Sequence, residues 1–499
     1  MYALYKPLRN YLRGFNLWSG LGSTYHYMQY LQFQQPLPKQ LATPKMRLGA
    51  SKMAIGIFEF NVEILIRELI LNSRTNGGKS FNTAPLASKA LEMIRKLEDA
   101  EWGNYRSRSE AIILHLSRLG FKQFPWQIPL TNGLLARYYI LYSNPLVAPI
   151  VEAEFGMTVT ELFQTTLLLT EELWKRPTPS FEFLEAAEQS VRAPVEALRD
   201  RISLSASELR DRTLRYQTYD VNWAYSFNPI REFPLIHAGN SRSILCPAPP
   251  ILLQRLTDGL YFDLIRAAGG DFGNAIGRAF EDYVGNVAGS IGQNNLKVLS
   301  EAVWGKPEKR SIDWIISDKT AIQFVECKFA RLNHASQTQI SPEPAFKDAI
   351  QRLAHYVGQM YSTLADALNG QYPHWQPDSR PIYLILVTFN NWLAFGPFFY
   401  KHLDQSVSDE FTKRGLDRGL LETHPFTVCS IDEFEGLLTA CCKHGINTVL
   451  KEKNGPNSRQ SLMQGFLANH YAGCLSEAKK TFEDRMNSLI EGPSRITRL

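Results

Sequence analysis

Asp313, Glu326 and Lys328 are the residues of this chain whose types and spacing suit chemistry, the last two within Glu326-Cys327-Lys328. Mostly apolar residues surround them, and the stretch from Asp313 to Lys328 reads as two strands joined by a tight turn at Asp318-Lys319, flanked by Ser317 and Thr320. That register sets Asp313 opposite Phe324 and diagonal to Glu326 on one sheet face. Alternation along the second strand puts Lys328 on the same face. Charges buried unpaired are unfavourable, so these groups must hold one another or a cation.

Two carboxylates on adjacent strands, with an ammonium two residues beyond one of them, suit metal-assisted hydrolysis of a phosphodiester. Mg²⁺ takes oxygen ligands at about 2.0–2.1 Å and keeps several waters. Asp313 and Glu326 would supply carboxylates and the backbone carbonyl of Cys327 a third ligand, with Mn²⁺ able to substitute. The ion would polarise the phosphate and acidify a bound water. Lys328 would orient that water and offset developing charge, a task for a compact ammonium rather than a guanidinium. Glu281 lies on an expected helix, four residues after Gly277 and four before Gly285. Those glycines share its face and would let the helix approach another backbone. Glu281 is then an outer metal ligand or a water-holding carboxylate, or else a solvated surface residue.

These residues need a scaffold. A helix over Asn274–Ile291 is expected from its apolar spacing, then strands over Lys297–Trp304, Arg310–Ser317 and Thr320–Ala330. An amphipathic helix over Pro344–Leu368 and a doubly buried strand over Tyr383–Phe389 complete an α-β-β-β-α-β order. Upstream, Glu59 to about Tyr219 reads as successive helices, with capping boxes at Ser107/Glu110, Thr158/Glu161 and Ser205/Glu208. The proline-rich run from Asn228 to Pro250 reads as the passage into the second domain. Four segments follow: 1–58, a basic arm; 59–227, a helical regulatory or sensor domain; 228–400, the catalytic domain; and 401–499, a helical extension without strands. The fold class is α/β, multidomain, with a mainly helical N-terminal half.

Together these features resemble the PD-(D/E)xK nuclease superfamily, with its restriction-endonuclease-like fold, over about Asp271 to Phe389. Asp313 matches the family's first acid, Glu326, Cys327 and Lys328 its E-x-K triplet, and Glu281 its helical glutamate; Ile312 stands where a proline is common. Many RecB-like members add Gln-x-x-x-Tyr on the next helix; here Gln351 is followed by His355 and then Tyr356, one place late. Lys347, Gln351 and His355 nonetheless share a helix face suited to phosphate. The resemblance implies a mixed sheet, a DNA substrate, and 5′-phosphate and 3′-hydroxyl products. A long helical half before such a domain also resembles phage-defence nucleases, which implies a protein partner or phage trigger. The alternative is a nucleic-acid-binding or interaction subunit, active only within a complex or not at all.

Charge and composition narrow the remaining choices. A formal net charge of +5 over 499 residues does not by itself demand a polyanionic partner. No acidic residue occurs before Glu59, while that stretch mixes seven lysines and arginines with many aromatics. It suits a nucleic-acid strand, or packs its aromatics on the following domain. Lys306, Lys309 and Arg310, just before Asp313, either steer phosphate or form a solvated loop, and Glu301 is a further acid on the first strand. Six scattered cysteines lack zinc spacing and read as buried free thiols rather than disulfides. Without a signal peptide, a membrane-length apolar run or a P-loop, the expected home is the cytoplasm and any energy-driven step needs a partner.

Overall fold

Helical spacing of apolar residues in the first half becomes helices at Tyr2–Leu12, Leu17–Phe33, Glu59–Asn72, Ala84–Gly103, Val159–Lys175, Gln189–Arg201 and Ala206–Tyr216 in a computed structural model of the chain. The structure describes residues 1–103, 118–120, 122–123, 125–126, 130–178, 189–237, 244–292, 295–331, 343–392 and 395–491. The expected capping boxes at Thr158/Glu161 and Ser205/Glu208 both close reciprocally; the one at Ser107/Glu110 lies outside the described residues. Among the described residues no helix is long and apolar enough to cross a membrane.

Two compact units divide the chain, and neither follows the expected boundaries. The first comprises residues 1–130, 148–269 and 488–499. Its core joins Leu8, Leu12, Leu21 and Met28 to Leu65, Leu69, Leu91 and Trp223, so residues 1–58 are no separate arm. Tyr5, Phe15, Tyr25 and Tyr27 are buried, which removes them from any base-stacking surface. The proline-rich run also belongs here: Leu235–His237 pairs in parallel with Ser203–Ser205 and antiparallel with Ile244–Leu245.

The second unit comprises residues 131–147 and 270–487. Its elements include α1 (Asn132–Tyr142), the part of α2 (Leu260–Gly292) that follows Gly269, β1 (Lys297–Ser300), β2 (Trp314–Ser317), β3 (Ile322–Lys328), α3 (Glu343–Leu368), β4 (Ile382–Thr388), α4 (Gly396–Arg414), β5 (Phe426–Ser430), α5 (Ile431–His444) and α6 (Ile446–Lys453). Helix α2 is longer than the spacing predicts and breaks at Gly269, whose φ of +50° suits only glycine well. The sheet order is β5-β4-β3-β2-β1, with β1, β2 and β3 antiparallel and β3, β4 and β5 parallel. Every residue of β4 is buried, as its unbroken apolar run requires.

Three expectations need correction. The 401–499 segment is not a strandless appendage, because β5 pairs with β4 along its whole length and is buried throughout. Without β5 the edge of a fully buried strand would be left unpaired. Residues 131–147 belong with the sheet rather than with a sensor domain. Buried Arg137 of α1 binds Asp432 and Glu435 of α5 at 2.7 and 2.9 Å, and the Tyr283 hydroxyl of α2 donates to Glu435 at 2.8 Å. Finally, the hairpin loop has four residues, not two: Ser317 pairs with Ile322. The Asp318 carboxylate accepts from the Thr320 and Ala321 amides at 2.7 and 2.9 Å and from the Ile446 amide at 2.8 Å. This side-chain turn favours the longer loop. The register therefore slips by two residues, which leaves every side chain on its expected face.

Candidate active site

Strand pairing places the acids. Trp314 pairs with Val325, so the next position brings Asp313 opposite Glu326, closer than the diagonal the sequence suggested. On the other side, Ser300 pairs with Trp314, yet the ladder resumes between Ala302 and Ser311, whose amide donates to the Ala302 carbonyl at 2.9 Å. Glu301 alone thus faces Ile312 and Asp313, a β-bulge of the kind that re-aims a side chain. The bulge frees the Ile312 amide, which donates to the buried Tyr372 hydroxyl at 3.0 Å. It also turns the Asp313 carboxylate into the ladder, where Oδ2 accepts from the Cys327 amide at 2.7 Å.

Lys328 Nζ donates to Glu326 Oε1 at 2.5 Å and lies 5.8 Å from the centre of the Tyr356 ring on α3. Helix α2 approaches the opposite sheet face, where Trp314 Nε1 donates to the Glu281 carbonyl at 3.0 Å. Gly285 makes that approach possible, since a Cβ there would fall 2.1 Å from the Trp314 ring. Gly277 has open space and plays no such part. Glu281 is bound by Arg278 at 2.6 Å, and Arg278 stands 3.8 Å from Glu301.

Electrostatics mark the cluster as strained by charge. Asp313 is raised well above the ordinary carboxylate range, first by burial and then by Glu326, with Glu281 adding to both. Burial likewise raises Glu326, and Glu281 and Glu301 add to it against the pull of Lys328. Burial alone would lower Lys328, but Glu326 and Asp313 outweigh it and hold the ammonium above its usual value. The Cys327 thiol is pushed far up by burial and by the same carboxylates, so it is no nucleophile.

These donors fit a hard divalent cation. Two carboxylates that resist being ionised together are relieved by a shared ion. The Cys327 amide points at Asp313, and in an extended strand the carbonyl of a residue leaves along the same edge as its amide. Among the described residues no group of three His, Cys, Asp or Glu forms a metal cage. Mg²⁺ is commonly held by one or two carboxylates, waters and substrate phosphates, and Asp313 and Glu326 are two carboxylates.

The other expected contacts scatter. Lys309 binds Asp366 and Gln371 at 3.2 and 3.0 Å, and Arg310 binds Glu301 and Glu308 at 2.9 and 3.0 Å, so both cations are engaged within the chain. Lys347 and Gln351 are exposed on α3, whereas His355 turns to Glu410 and Arg414 of α4 at 3.5 and 3.2 Å. Tyr356, one place beyond the familiar spacing, is the residue that reaches Lys328. Tyr372 and Trp314 carry no local sequence signal, because the bulge and the helix approach that give them roles are tertiary, whereas Arg278 is legible from its three-residue spacing to Glu281 on one helix. The six cysteines are free, five of them buried. In comparisons with known proteins, no family model, no curated protein and no solved structure matches the chain.

Proposed function

We propose that this protein is a Mg²⁺-dependent nuclease that hydrolyses phosphodiester bonds, with DNA as the first-choice substrate, on a restriction-endonuclease-like core. The observation that carries the reading is the pair of buried, opposed carboxylates, Asp313 and Glu326, both pushed toward protonation, with Lys328 against one of them. The element order α2-β1-β2-β3-α3-β4 supports it. Asp313, Glu326 and the Cys327 carbonyl would hold the ion, which when bound polarises the phosphate and acidifies a water.

The chain's own residues divide the remaining work. Lys328 stays an ammonium, so it donates hydrogen bonds to the attacking water and the phosphate oxygens and takes no proton. Glu281, whose charge acts on both acids, would accept the proton of that water. Asp313 is held to the Cys327 amide and so presents its second oxygen in a constant direction. Tyr372 restrains the bulge that aims it.

Cleavage of single-stranded DNA, duplex DNA and RNA with Mg²⁺ or Mn²⁺ tests the reading. Asp313→Ala, Lys328→Ala and Lys328→Arg should each lose about 10²–10³ in rate, the usual loss on removing one preorganised charge-stabilising group. Variants as active as the parent would end it.

A further inference from the structure

The rim of the site holds a cation that the proposed reaction does not yet use. Arg278 sits one helical turn before Glu281 on α2, with its guanidinium 2.6 Å from the Glu281 carboxylate and 3.8 Å from that of Glu301. Its side chain is 46% exposed, unlike the buried acids Asp313 and Glu326. The hydrogen bond and charge of Glu281 hold Arg278 above its ordinary value, and Glu301 and Asp313 add to that. Glu301 has a second cation of its own in Arg310, at 2.9 Å, so it remains neutralised if Arg278 moves away.

The charge count gives this arrangement a direction. With all three acids ionised, as a bound ion requires, Asp313, Glu326 and Glu281 oppose Lys328 and Arg278 and leave one negative charge in the cluster. A divalent ion reverses that to one positive charge, and one phosphodiester then neutralises the site. Glu281 cannot keep a short pair with Arg278 and also turn to an ion held by Asp313 and Glu326.

We propose that Arg278 is an exchanging cation. It occupies Glu281 before metal binds and, once Glu281 turns inward, carries its guanidinium to a phosphate of the bound strand. Arginine suits the second task because its planar fork matches phosphate oxygens in pairs. The inference rests on the nuclease reading, and two measurements separate its failure from the failure of that reading.

Mn²⁺ binding by calorimetry or electron paramagnetic resonance, without substrate, is the first. Removing the competing pair in Arg278→Ala should tighten Mn²⁺ by about two- to tenfold, the span of one exposed to partly buried ion pair. In a Glu281→Gln background the same substitution should change Mn²⁺ affinity little, since nothing is left to compete for. The second is fluorescence anisotropy of a labelled oligonucleotide in Ca²⁺, where Arg278→Ala should weaken binding several-fold and Arg278→Lys recover part of it. Parent protein that binds no Mn²⁺ refutes the metal site and this inference with it. Parent protein that binds Mn²⁺ while Arg278→Ala binds it equally refutes the exchange alone. An equal gain in the Glu281→Gln background also refutes it, because that is general charge repulsion rather than competition for Glu281. Far-ultraviolet circular dichroism of each variant confirms that the fold is kept.

Discussion

Replacing Asp313 by asparagine should make the metal-free protein more stable while removing its response to metal. Directly opposed residues lie about 5 Å apart, where two like charges repel by about 3 kcal/mol at an effective dielectric of about 20. Lys328 offsets roughly half of that, so about 1–2 kcal/mol should favour the neutral side chain at pH 7.5. The amide oxygen of asparagine still accepts from the Cys327 amide, so the local fold is retained. For a unit of this size the gain corresponds to roughly 2–8 °C in Tm. Calorimetry in EDTA, followed by a Mn²⁺ titration, reads both effects. At about 100 times its Kd, Mn²⁺ should stabilise the parent by about 2.7 kcal/mol, and most of this should vanish in Asp313→Asn. The pH dependence has a definite sign. A carboxyl raised in the folded state contributes stability that is present below the ordinary carboxylate range and lost as pH rises through its raised value. The advantage of asparagine should therefore shrink on acidification, as Asp313 itself becomes neutral. An Asp313→Asn protein that is destabilised in EDTA, or that responds to Mn²⁺ like the parent, would refute the electrostatic account of the site.

Three further substitutions probe the scaffold. Gly285→Ala forces a methyl into the Trp314 ring, so it should destabilise by about 1–3 kcal/mol and lower activity through displacement of Glu281; an unchanged denaturation midpoint and rate would contradict the packing. Arg137→Ala strands the buried Glu435 carboxylate, an uncompensated charge expected to reduce stability by about 3–5 kcal/mol, measured by urea denaturation. Cys327→Ala should keep metal binding and cleavage within a few-fold, since only the backbone of Cys327 is used; loss of both in a folded variant would assign the thiol a role its burial argues against.

Much of the second unit was legible before any coordinates. An unbroken apolar run located β4 and period-three-to-four spacing located α2 and α3, because burial on both faces of a sheet or along one face of a helix leaves those patterns in the chain. β5 escaped because five buried residues between helices carry no alternation, and its strand state comes from the open edge of β4. The unit boundaries escaped for a related reason. The helix within residues 131–147 is legible locally, but tertiary contacts assign the segment to the sheet, among them the Arg137 network, the Asn144–Asp282 hydrogen bond and the Tyr138–Phe389 ring contact.

The sequence alone marked the residues whose types and spacing suit chemistry, Asp313, Glu326, Lys328 and Glu281, and put the first three on one sheet face. Side-chain direction in a strand depends on parity, which survives a two-residue error in register. Tertiary structure alone decided how these groups meet. A four-residue loop held by Asp318 set the pairing, a bulge opposite Glu301 aimed Asp313, and Tyr372 took up the amide that the bulge released. Gly285 admitted Trp314 and so fixed the height of Glu281, while Arg278 took hold of its carboxylate. All but the Arg278–Glu281 pair, which lies within one helical turn, depend on contacts between residues distant in the chain, and no local pattern encodes those.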